Sequence, residues 1–130
     1  GEKRSKEGAY MWQSLLKSGA VIVNGTDVPV EPINPIASFF ASVTRQTLKG
    51  EPVGGFEPDE KMTRGQALRS YTLDAAYGAF EEKKKGSIKP GKLADFVVFS
   101  KDLMTIPDSE ILSTEVVLTI LGGKVLYEKK

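Results

Sequence analysis

Two adjacent glycines near the C-terminus, Gly122-Gly123, separate the runs Glu115-Val116-Val117-Leu118-Thr119-Ile120-Leu121 and Lys124-Val125-Leu126-Tyr127. A two-residue Gly-Gly connection between β-prone runs predicts a tight hairpin, because glycine adopts the positive φ of such turns without steric cost. A third strand is predicted at Ala94-Asp95-Phe96-Val97-Val98-Phe99, after the turn-rich stretch Gly86-Ser87-Ile88-Lys89-Pro90-Gly91-Lys92. Between them, Asp108 or Ser109 starts at most a single helical turn.

The first half of the chain has another character. Residues 9–18 space Tyr10 or Met11 with Leu15, and Trp12 with Leu16, at helical intervals, and Gly19 lies where a C-cap is expected. Ala20-Val21-Ile22-Val23 follows without alternation, which suits a strand buried on both faces in a parallel sheet. Helix, glycine break and buried strand together make half of a βα repeat, so the fold class is read as α/β. Asp27 comes next, and Pro29, Pro32 and Pro35 force an extended loop. Residues 36–47 regain a helical pattern with Ile36, Phe39, Phe40 and Val43 on one side. Residues 49–59 form a Gly- and Pro-rich loop, Thr63 is an N-cap for a helix through Tyr71, and a second helix is predicted over 73–82.

Composition narrows the chemistry. With 130 residues and a 40% hydrophobic fraction, the chain can build one core. Its 18 Lys+Arg against 17 Asp+Glu, net charge +1, favour neither nucleic acid nor an acidic membrane as partner. Lys83-Lys84-Lys85 follows Glu81-Glu82 and reads as a solvated helix end. Cysteine is absent, which excludes disulfides and thiolate chemistry, and histidine is absent too. No Ser-His or Cys-His base is possible, and the commonest ligand of catalytic zinc is missing. No signal peptide is recognised, so the expected setting is cytoplasmic; the chain begins without Met, as a fragment or processed product would.

A set of blocks now carries a family resemblance. Gly25-Thr26-Asp27-Val28-Pro29-Val30-Glu31 with Asn34-Pro35 resembles the end of the eighth barrel strand in YtcJ-like amidohydrolases, the amidohydrolase family 3 group. The blocks Met62-Thr63-Arg64-Gly65-Gln66-Ala67-Leu68-Arg69-Ser70-Tyr71-Thr72 and Ala75-Ala76-Tyr77 follow in that family's order. So do the stretch from Lys85 to Val98 and the closing hairpin. Together they cover nearly the whole chain from about Ala9 onward.

The resemblance implies the C-terminal fragment of a distorted (β/α)8 barrel, plus strands of a small composite β-sandwich. Residues 1–85 would hold the last barrel helix and strand and the closing helices, and residues 86–130 the C-terminal sandwich strands. It also implies hydrolysis of a non-peptide C–N bond in a small amide-type substrate, with a divalent metal, zinc the expected one, in the full-length enzyme. Asp27 would then be the catalytic carboxylate that takes the proton of a metal-bound water, and a metal ligand only alongside ligands from elsewhere. Glu31 and Asn34 are candidate substrate contacts on the same loop. Against this stands the simpler reading that Asp27 caps a turn before a proline-rich loop, and that Glu31 and Asn34 are solvated.

The remaining site histidines and lysine or carboxylate of the family have no counterpart here. A single carboxylate does not assemble a tight divalent site, so the chain alone is expected to be metal-free and inert. Trp12 is read as packing and Asp95 as a structural hydrogen-bond acceptor; Arg45 is read as a surface residue, and Arg64 as pairing with Asp59 or Glu60. The alternative to a hydrolase segment is a non-catalytic interaction or regulatory module. The barrel-facing surface separates the two: in a hydrolase fragment Val21, Val23 and the apolar stripe of 36–48 would lie uncovered, inviting an oligomer or a partner chain, whereas a stable monomer with those groups buried would argue for an independently evolved module.

Overall fold

The computed structural model describes the backbone of residues 1–130 and every side chain except those of Glu2 and Lys6. Five helices come first: α1 (Glu2–Gly8), α2 (Trp12–Lys17), α3 (Pro35–Thr44), α4 (Arg64–Tyr71) and α5 (Leu73–Gly78). Strands β1 (Phe96–Phe99), β2 (Val116–Leu121) and β3 (Lys124–Glu128) follow, and 3-10 turns occupy Pro58–Glu60 and Asp108–Ser113. The architecture is mixed helix and strand, with one antiparallel sheet in the order β1-β2-β3.

The hairpin forms as its glycines dictate. Gly122 has φ 57° and Gly123 φ 77°, both positive as a type I′ turn requires. The pairs Ile120↔Val125 and Leu121↔Lys124 flank the turn, and Phe96↔Ile120 sets the other register. Asp95 has the structural role expected of it: its Oδ1 accepts the Gly122 N–H at 2.7 Å and ties the turn to the start of β1. No residue of β3 is buried.

The strand expected at 20–23 does not form. The segment leaves α2 through a Schellman-type cap, with Gly19 at φ 89° and the N–H groups of Gly19 and Ala20 donating to Leu16 and Leu15 carbonyls at 3.0 and 3.2 Å. It then runs between α3 and the α4–α5 pair without a strand beside it. Asn24 N–H donates to the Ser70 carbonyl at 3.1 Å and Asn24 Nδ2 to Ser42 Oγ at 3.1 Å. β-branched residues prefer extended backbone, but a ladder needs a neighbour, and the described residues supply none. Val21 and Val23 remain about half exposed, at 49% and 53%.

The stripe of α3 behaves differently from the expectation that it would lie uncovered. Ile36, Phe39, Phe40 and Val43 are buried and make the core with Met62, Ala67, Leu103 and Ile111. Trp12, expected in packing, borders this core, and so does Ile22. Phe99 and Ile106 bring the sheet and its connection against the same cluster. The helices are shorter than the sequence pattern suggested. Arg45 takes φ 56° and ends α3 at Thr44, and α5 stops at Gly78, just before Phe80 at φ 59°.

Thr63 caps α4 as expected, and more completely: its Oγ1 accepts the Gln66 N–H at 3.2 Å while Gln66 Oε1 accepts the Thr63 N–H at 2.8 Å. This reciprocal pair is a capping box.

Candidate functional site

The extended segment delivers its chain to an exposed loop. Asp27 sits there with φ 53°, and its carbonyl accepts the Val30 N–H at 2.8 Å to close a turn that contains the cis Val28-Pro29 bond. The turn is thus made by backbone, not by the Asp27 side chain, whose carboxylate is exposed and has no hydrogen-bond partner among the described residues. Glu31 is exposed on the same loop. Asn34 closes it: the Asn34 Oδ1 accepts the Ile36 N–H at 3.0 Å and caps α3, with Pro35 at the first helical position. Asn34 therefore has a structural task at that oxygen.

These residues share a loop but do not converge on a metal centre. Among the described residues no group of three or more His, Cys, Asp or Glu side chains stands close enough to hold an ion. The donor set of this chain alone does not fit a divalent metal, which requires three or more protein ligands.

A cleft of about 390 Å³, lined by none of residues 26–34, lies between the Tyr10–Trp12 segment, residues 22–25 and α3. Arg45 lines it, and here the surface reading is corrected: the residue is only 9% exposed. Its Nε donates to the Phe56 carbonyl at 2.5 Å and its Nη1 to the Tyr10 carbonyl at 2.7 Å. The Phe56 ring lies under the guanidinium, 5.3 Å from Cζ to centroid. Burial pulls the Arg45 pKa below its usual value, while Glu60 and Glu57 act in the opposite sense. The left-handed backbone that ends α3 turns this side chain inward, which a helix-period count cannot foresee.

Two further charges differ from expectation. Arg64 pairs with neither Asp59 nor Glu60 but with Asp108, at 2.6 Å, and also donates to the Leu103 carbonyl. Glu60 instead caps α2 from a distance. Its carboxylate accepts the Ser14 N–H at 3.0 Å and the Ser14 Oγ–H at 2.7 Å, which holds its pKa below the ordinary value. α2 has no side-chain cap of its own, because Met11 stands at its N-cap.

Comparison with known proteins places this geometry in a family. The family model described as "Amidohydrolase family" matches residues 1–127. The chain is 38% identical over 127 residues to Protein LONG AFTER FAR-RED 3 of Arabidopsis thaliana, covering 98% of this chain and 21% of that protein. It is 30% identical to a Bacillus subtilis (strain 168) protein that bears an amidohydrolase name, YtcJ, covering 99% of this chain and 24% of that one. An N-substituted formamide deformylase of Arthrobacter pascens is also 30% identical, with 99% and 23% covered. Among solved structures, an amidohydrolase from Thermotoga maritima MSB8 superposes with a TM-score of 0.63 at 25% identity, over 92% of this chain and 26% of that one.

The chain belongs to the amidohydrolase family, as a portion of its YtcJ-like group. It spans between 21% and 24% of the length of these curated relatives.

Proposed function

We propose that this chain forms the C-terminal segment of a metal-dependent amidohydrolase that cleaves a non-peptide C–N bond. In this reading residues 1–85 contribute the last helix and strand of a (β/α)8 barrel with its closing helices, and residues 86–130 contribute strands of a composite sandwich. The observation that carries the reading is the family match over residues 1–127. The position of Asp27 supports it: an exposed carboxylate, unengaged by the turn it sits on, follows an extended segment that lacks its sheet neighbours. Barrel enzymes place their chemistry at the C-terminal ends of strands.

Asp27 is proposed to exchange the proton of the attacking water, and Glu31 and Asn34 to border the substrate. Asn34 can do so through its amide N–H groups, and through the second lone pair of the Oδ1 that caps α3. The described residues of this chain supply no metal step by themselves, because their donors do not make a site. It follows that the isolated chain is inert and that ligands and the catalytic pocket come from polypeptide beyond it.

N-substituted formamides, the class in the name of the Arthrobacter relative, are suitable trial substrates. The 130-residue chain is expected to release no amine from them, and to retain less than one equivalent of metal after dialysis against a chelator. In a polypeptide that supplies the rest of the barrel, Asp27→Asn is expected to lower turnover by roughly 10²- to 10⁴-fold. Hydrolysis by the isolated chain that disappears on Asp27→Asn would contradict the proposed inertness. Full turnover by the longer variant would remove Asp27 from the chemistry.

A further inference from the structure

Arg45 is a buried cation with no carboxylate of the described residues in direct contact; Glu60 and Glu57 favour its charge only from beyond ion-pair distance. Among the described residues it forms no ion pair, and its two engaged nitrogens donate to backbone carbonyls, which carry no net charge. Its third nitrogen, Nη2, is buried and has no hydrogen-bond partner. Buried charges are ordinarily paired, and an orphaned donor on one costs more than a neutral one. The cleft that Arg45 lines is otherwise apolar over much of its wall, with Trp12, Phe56, Ile22 and Met62, and it carries two hydroxyls, Ser38 and Ser42.

We propose that this cleft binds a small organic carboxylate with an apolar body, using Arg45 as the counter-charge. A guanidinium matches the planar geometry of a carboxylate and is the side chain best suited to pair with one away from water. The apolar body packs against Trp12 and Phe56. Nη2 is closed to solvent here, so the ligand pairs with it only once the lining around Arg45 shifts; Tyr10, a lining residue, is 64% exposed. The site is separate from Asp27 and does not depend on the reaction proposed for that residue.

Trp12 is the chain's single tryptophan, so its emission reads this cleft directly. The folded 130-residue chain, checked by circular dichroism, is titrated with cyclohexanecarboxylate and, in parallel, with the neutral isostere cyclohexanecarboxamide. The acid is expected to give a saturable Trp12 shift and to bind at least about tenfold tighter than the amide, with the difference shrinking as salt is added. Arg45→Met is expected to abolish the difference. Should that variant not fold, the wild-type acid-to-amide ratio decides alone. Equal binding of acid and amide, or no saturable response to the acid, overturns the proposal. A capped Leu-Asp-Leu peptide supplies the same carboxylate from a polypeptide. If it binds more than about tenfold tighter than the free acid, Arg45 belongs to a protein contact and the small-ligand site is overturned.

Discussion

Glu60 does for α2 what a local N-cap residue does for most helices. Its carboxylate satisfies the Ser14 N–H from 46 residues away and places negative charge at the helix's positive end. The folded-state pKa of Glu60 lies below its ordinary value of 4.5, so its contribution to stability is complete above that pH and is lost as pH falls through the lowered value. Glu60→Gln is therefore expected to lower the urea midpoint at pH 7 and to leave little difference from wild type once the pH is well below 4.5. A gap that persists unchanged in acid would mean that the carboxylate's charge is not what holds α2. The cap on α4 is local. Thr63→Ala should cost about 1 kcal/mol by chemical denaturation, because it removes the hydroxyl that accepts the Gln66 N–H and keeps only the half made by the Thr63 backbone N–H. Thr63 was readable in the sequence since its partner is three positions along. Arg64 was not: Asp108 lies 44 residues away, and nothing local distinguishes it from Asp59. Arg45 is the harder case still, because its inward turn comes from one left-handed residue and its contacts come from Tyr10 and Phe56.

At the scale of elements, the hairpin and the 20–23 segment separate what a sequence can specify from what it cannot. Gly122-Gly123 encodes its own geometry, so β2 and β3 start with the register expected of a two-residue turn, which holds for Leu121↔Lys124 and Ile120↔Val125 before an irregularity between Ile120 and Thr119 shifts it. The apolar run at 20–23 encodes only a preference for extended backbone and burial. Whether it becomes a strand depends on neighbours that no local pattern carries. Its present packing is close nonetheless: a methyl group on Gly78 would come within 2.9 Å of Val23 Cγ2. A sharper case is Gly55, in the loop that returns from α3. Its φ is 86° and a Cβ there would lie 2.1 Å from the Thr44 carbonyl oxygen. Gly55→Ala is expected to destabilise by about 2 kcal/mol or more, since both the backbone and a fixed peptide oxygen oppose it. Ile111, fully buried where the 3-10 turn meets α3, should lose about 3 kcal/mol on replacement by Ala. Wild-type denaturation midpoints for either variant would show that these contacts are not made.

Taken whole, the molecule exposes more surface than its mass warrants. A compact monomer of 14.1 kDa is expected to expose about 6,700 Å², whereas this chain exposes 8979 Å². The excess of roughly 2,200 Å² is what one side of a large permanent interface covers. Exposed apolar groups on the 20–23 segment, and Val97, Val98, Leu126 and Tyr127 on the sheet, account for part of it. In isolation the chain should bind an apolar-surface dye and sediment as concentration-dependent species; a dye-silent monomer across the range would show that the excess surface has no partner to find. That the chain matches only 21% to 24% of its curated relatives' length was legible in the sequence, because its resemblance blocks begin at the eighth barrel strand and end at the closing hairpin. The shape left behind was not legible, because surface area depends on how elements pack.

The outer rim of β3 has a practical consequence of its own. Lys124–Glu128 presents an unshared row of peptide groups, with Val125, Leu126 and Tyr127 projecting beside it. Such a rim is a growth front on which another strand can nucleate. Its guards are the charges at its two ends, Lys124 and Glu128. Shelf life in concentrated solution should thus be governed by this strip, and a single Val125→Lys exchange should lengthen the lag before turbidity without altering the melting temperature by more than about 4 °C.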